Sequence, residues 1–130
     1  MKEINYQAME NRGQYSMVNS DMLVRESHLY RKLEKLISFK KIAYRLKKLT
    51  DEGYGKERIF KMMLLQYMED LSDREMERYL QENVAAKYFC GFSVTDKTPD
   101  YTSFSKMRTR IGASQLSKIF TMIRKQLIKQ

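Results

Sequence analysis

The sequence predicts an all-α fold, a compact bundle of six or seven helices that includes a helix-turn-helix-like pair. Three observations carry this prediction. One Pro and five Gly in 130 residues are very few for an all-β chain. Ten Met, with many Leu, Ile, Lys, Arg and Glu, favour helix. Finally, no window alternates for a strand, while several repeat at helical spacing.

The elements follow in order. Residues 1–22 are polar, with Gly13 and scattered aromatics, and suggest an arm that drapes over a domain spanning residues 23–130. Leu29, Leu33, Leu36 and Ile37 recur at helical spacing and predict a helix near 28–37. Phe39, Ile42, Ala43, Leu46 and Leu49 predict a second near 39–49, and Thr50 to Gly55 is a break with two glycines. Ile59 to Met68 is apolar almost all round, so a third helix, near 57–70, belongs in the middle of the fold. Ser72 with Glu75 forms a capping-box pattern that starts a helix at Asp73 and carries it to about Glu82. Asn83 can cap a short helix, Val84 to Cys90, which Gly91 ends. Phe92 to Pro99 is irregular. Asp100 caps a helix over 101–111, Gly112 stops it, and Ser114 is placed to cap a last helix that buries Leu116, Ile119, Phe120, Ile123 and Leu127.

A chain of this size can bury a sizeable core as one domain. Cys90 is the only cysteine, which excludes an intrachain disulfide and suggests a reducing, cytoplasmic setting. No N-terminal apolar run resembles a signal peptide, and the apolar stretch Met62 to Leu65 is far too short to span a bilayer, so no membrane partner is expected.

The net charge of +9 comes in blocks. Residues 25–49 carry nine bases and two acids, and residues 101–130 carry seven bases and no acid. Between them, residues 50–100 have a net charge of −4. Cations concentrated on particular helices suit an anionic partner, most often nucleic acid phosphate. The plainer reading is a set of solvated Lys and Arg faces.

Three helical faces could touch nucleic acid. In the second helix, Lys41, Arg45 and Lys48 share the side opposite Ile42, Leu46 and Leu49, a phosphate-facing stripe. The pair 57–70 and 73–82 has helix-turn-helix spacing, and its second member turns Arg74, Arg78 and Gln81 outward. Arg and Gln read guanine and adenine edges bidentately. Asp73, Glu75, Glu77 and Glu82 weigh against this helix, and an ordinary antiparallel pair is the alternative. The helix 101–111 buries Phe104, Met107 and Ile111, and presents Thr102, Ser103, Ser105, Lys106, Thr109 and Arg110, with Arg108 on the flank. Small hydroxyls admit a close backbone approach, and the cations can take phosphate or guanine.

Catalytic chemistry is not visible. His28 stands alone among Cys and His ligands, and Cys90 reads as a small core residue. Asp96 and Asp100 are four apart with no third carboxylate beside them.

Four segments, in order, resemble bacterial insertion-sequence transposases of the DDE, RNase H-like class. Leu23-Val24-Arg25-Glu26-Ser27-His28-Leu29-Tyr30-Arg31-Lys32 is similar to "LVPEDHLLRK". Leu71-Ser72-Asp73-Arg74-Glu75-Met76-Glu77 resembles "LSDRELE", and Tyr88-Phe89-Cys90-Gly91-Phe92 resembles "RFLGL". The segment from Asp96 through Pro99, Asp100, Phe104 and Ser105 to Arg108 resembles "D-x-x-P-D-H-S-T-F-S-R-F-R", with Tyr101 in place of His. Arg25 stands where the family has Pro, and Gly53 to Glu57 lacks its "GRP…DP" turn.

The resemblance implies a helical N-terminal domain that engages double-stranded DNA at the terminal inverted repeats. Strand cleavage would belong to a following domain whose three carboxylates hold Mg²⁺. None of those catalytic positions, and no cofactor site, falls in these residues, so the chain is expected to be truncated before that domain. The competing function is a non-catalytic interaction module that pairs with or inhibits full-length transposase, and a homo-oligomer is the other protein partner considered. The Met-rich segment 59–68 motivates it, because Met-rich surface adapts to partners.

Overall fold

The helix from Lys56 to Met68 is the hub. A computed structural model describes residues 20–45 and 54–128; the side chains of Ser20 and Arg45 lie outside the described part. The described residues form α1 (Ser20–Leu23), α2 (Leu29–Leu36), α3 (Phe39–Arg45), α4 (Lys56–Met68), α5 (Asp73–Glu82), α6 (Val84–Phe89), α7 (Tyr101–Ile111) and α8 (Ala113–Ile128). That is one more helix than the sequence predicts, the addition being the single turn α1. Residues 1–19 of the expected arm, and the expected continuation of α3 over 46–49, lie outside the described residues.

α4 is buried from Ile59 to Gln66, all round rather than on one stripe. Phe60, Met62 and Leu65 are fully enclosed, and Met63 and Leu64 nearly so. Each such side chain contributes about 1.5–3 kcal/mol of apolar transfer. The Met-rich segment is therefore core. α3 and α7 pack on α4, and α8 is fixed to it by Phe120, whose ring lies 5.7 Å from Phe60 and stacks at 4.5 Å on Tyr67.

One cation enters this core. Lys61 is buried, its Nζ reaches Glu34 Oε1 at 2.5 Å, and it lies over the rings of Phe39 and Phe89 at 5.0 and 5.1 Å. A buried charge is tolerated only when paired, and here one carboxylate and two ring faces supply the pairing.

The ends of the helices follow their chemistry. Ser72 Oγ accepts from the Glu75 amide, and Glu75 Oε1 accepts from the Ser72 amide, completing the capping box. α4 ends in a Schellman motif, with the Leu71 amide donating to Gln66 O at 3.0 Å and Asp70 to Tyr67 O at 3.3 Å. Asp70 takes the left-handed position, φ 53°, which usually falls to Gly. α6 ends the same way through Gly91, φ 82°, with Phe92 donating to Lys87 O. One cap differs from expectation. Gly112, φ 90°, accepts from the Leu116 amide at 3.1 Å, so it caps α8 as well as ending α7, and Ser114 falls inside the first turn.

Arg31 pins the first corner of the fold. Its Nε and NH2 donate to Val24 O, NH2 also donates to Asp21 O, and NH1 donates to Asp21 Oδ1 and Tyr88 Oη. A single guanidinium thus ties α1, α2 and α6 together.

Candidate nucleic-acid interface

α7 starts where Asp100 places it. Asp100 Oδ1 accepts from the Thr102 and Ser103 amides at 3.1 and 3.2 Å, and from the Thr102 hydroxyl at 2.6 Å. The Thr102 hydroxyl, aided by the Ser103 groups, holds the Asp100 carboxyl below the usual carboxylate range. Phe104, Met107 and Ile111 face inward, leaving Thr102, Ser105, Lys106, Thr109 and Arg110 exposed. Ser103 departs from the expected hydroxyl surface. It is half-buried and donates to Asp100 Oδ1 at 3.3 Å, which fixes the cap.

Arg108 departs further. It was expected to flank a DNA-facing surface, yet its NH1 donates to Asp73 Oδ1 at 2.6 Å and to Gln66 Oε1 at 3.0 Å, while NH2 donates to Asp73 Oδ2 at 2.8 Å. It is a strut between α7, α5 and α4. The Arg108 guanidinium, and secondarily Gln66, hold the Asp73 carboxyl below its ordinary range.

On α5, Met76 and Leu80 are buried, and Arg74, Arg78 and Gln81 are exposed. Three of the four acids that weighed against this helix have internal tasks, and the fourth, Glu82, is exposed. Asp73 pairs with Arg108, Glu75 completes the capping box, and Glu77 Oε1 accepts from the Tyr101 amide at 2.7 Å. Arg74 lies over the Tyr101 ring at 4.1 Å, so α5 and α7 share an edge.

A further group was missed by sequence reasoning. Lys41 of α3 lines a cleft of about 120 Å³ with Ile119, Met122, Ile123 and Gln126 of α8. Lys118 and Lys125 fall on the same side of α8 as Met122, at helical spacing, and both are exposed. The fold thereby joins the two basic blocks of the sequence along the α3–α8 seam. Helical periodicity marks these lysines as exposed, but only long-range packing shows that Lys41 faces α8 across the cleft. Arg45 belongs to the same expected stripe, but its side chain, and Lys48 altogether, lie outside the described residues.

The expected residues whose side chains are described do not share one surface. α8 meets α3 along one flank. Its other flank, through Leu116 and Phe120, lines an open groove of about 720 Å³ with Asp73 and Arg108. The α5–α7 edge lies on that second side. Lys106, Lys118, Arg124 and Lys125 form no ion pair among the described residues.

Other reactive groups have structural explanations. His28 Nδ1 accepts from the Tyr30 amide and caps α2. Asp96 Oδ2 accepts from the Ser93 amide. Cys90 is fully buried, and burial pushes its thiol up, away from a reactive thiolate. Among the described residues no group of three or more His, Cys, Asp or Glu could hold a metal ion, and no helix is long and apolar enough to cross a membrane.

Compared with known families, residues 18–110 match the model described as Transposase domain (DUF772). The match takes in α1 to nearly all of α7. No curated protein and no solved structure matches the chain.

Proposed function

This chain belongs to the Transposase domain (DUF772) family, and we propose that it serves transposition by binding double-stranded DNA at transposon ends. The supporting observation is the stretch from Tyr101 to Ile128, which forms two helices without one Asp or Glu and exposes Lys106, Arg110, Lys118, Arg124 and Lys125. A duplex backbone is dense in negative charge, and each Lys or Arg that meets a phosphate releases counterions. Lys41 adds a cation on the α3–α8 side, a face separate from the α5–α7 edge. Arg78 and Gln81, exposed on α5, are the side chains suited to base edges. In this reading Arg108 holds the α5–α7 edge in shape rather than touching DNA. The competing idea of an adaptable Met-rich partner surface loses its motivation, since Met62 and Met63 are in the core.

Fluorescence anisotropy tests the proposal with two duplexes, one carrying the terminal inverted repeat and one with the same bases scrambled. The expected result is binding to both with preference for the repeat. Equal affinity reduces the function to non-specific duplex binding, and no binding at low salt refutes it.

A further inference from the structure

The clasp between α5 and α7 has a chemistry that duplex binding alone does not use. Tyr101 is 38% exposed, and the Arg74 guanidinium rests over its ring at 4.1 Å. Arg74 is itself exposed. Tyr101 is held at the first position of α7 by two independent contacts: Glu77 accepts from its amide, and Asp100 caps the turn that follows. The backbone that carries the ring is thus anchored at both contacts, and the partly exposed ring has an exposed guanidinium resting on it. Arg78, one turn beyond Arg74, supplies a second exposed cation. The acids around this edge have partners of their own: Asp73 pairs with Arg108, Glu75 and Asp100 cap helices, and Glu77 accepts from the Tyr101 amide.

An aromatic ring joined to a guanidinium stacks on nucleobases, and every base has a face to offer. Inside a duplex those faces are covered by their neighbours. The surface therefore fits a base that has left the stack, at a frayed terminus or beside a strand break. We propose that Arg74 and Tyr101 form a stacking platform for an unpaired DNA base, with Arg78 on the adjoining phosphate. The proposal rests on the DNA-binding reading above and names the feature of the end that this edge recognises.

The test compares one blunt duplex with a fork of the same sequence whose terminal bases are unpaired, one of them 2-aminopurine. The full chain should bind the fork about tenfold more tightly than the blunt duplex, the scale of one base stacked on an aromatic side chain. It should also change the 2-aminopurine fluorescence. Tyr101→Ala should bring the fork-to-blunt ratio close to one without weakening blunt binding, while Tyr101→Phe should keep the preference. Arg74→Ala, which cuts no core contact, should lower the ratio and guards against a folding defect in the tyrosine variant. Equal binding of fork and blunt duplex by the parent chain, or a preference that survives both alanine variants, overturns the platform and leaves duplex binding standing. Binding to neither probe overturns both.

Discussion

Arg108 and Asp73, 35 residues apart in sequence, meet in a two-pronged ion pair that ties α7 to the first turn of α5. Gln66 of α4 completes it by donating to Asp73 Oδ1 and accepting from Arg108 NH1. Paired hydrogen bonds of this kind fix orientation as well as distance. The relative placement of the two helices that carry Arg74, Arg78, Lys106 and Arg110 thus depends on a contact that no local pattern announces.

Asp73→Asn should cost about 1–2 kcal/mol at neutral pH, a value held down by the partial exposure of both partners. The pH dependence has a definite sign. Arg108 lowers the folded-state pKa of Asp73, so the contribution is present above the ordinary carboxylate range and is lost as pH falls through the folded value. Urea denaturation should show a gap between parent and variant that is full near pH 7 and closes below about pH 4. A gap unchanged in acid would mean that the pair is not what Asp73 contributes.

Leu64→Ala should cost about 2–5 kcal/mol, because Leu64 lies at 2% exposure in the enclosed helix α4. Chemical denaturation measures it directly. A loss well under 1 kcal/mol would place Leu64 outside the core.

Gly91→Ala should destabilise by about 1–2 kcal/mol, the cost of left-handed backbone for an L residue. The φ of 82° demands that conformation, and an added Cβ would meet Arg58 Nε at 3.1 Å. Arg58 is held there by Cys90 O and the Phe92 ring, so it cannot retreat freely. A variant with unchanged thermal stability would contradict the assignment of Gly91 to the Schellman position.

Lys106→Ala combined with Arg110→Ala should weaken duplex binding while leaving helicity intact, and should reduce the salt slope of binding by about 2. Lys41→Ala with Lys118→Ala tests the α3–α8 seam in the same way. Arg108→Ala should differ from both, lowering stability more than affinity. If circular dichroism shows intact helices and neither double variant changes affinity, DNA contact lies on neither face.

Much of the fold was legible because its signals are local. Ser72 with Glu75, Asn83 and Asp100 each cap the helix that their spacing indicates, and the apolar run 59–68 is buried from Ile59 to Gln66, with Tyr67 exposed at its end. The failures have different causes. α1 is one turn long, too short for periodicity to show. α8 begins at Ala113, with Leu116 already donating to Gly112 O, so Ser114 lies inside the helix rather than at its cap. In the candidate site, exposure of Lys106 and Arg110 could be read from a helical wheel. The capture of Arg108 by Asp73, the burial of Arg31, and the meeting of Lys41 with α8 depend on contacts distant in sequence.

The most direct measurement is the affinity of the full chain for a transposon-end duplex as salt is raised. Contact with about five or six phosphates gives a log–log slope near −5, with strong binding at low ionic strength. A slope near zero, or no complex at about 50 mM salt, would show that the acid-free helices do not meet DNA.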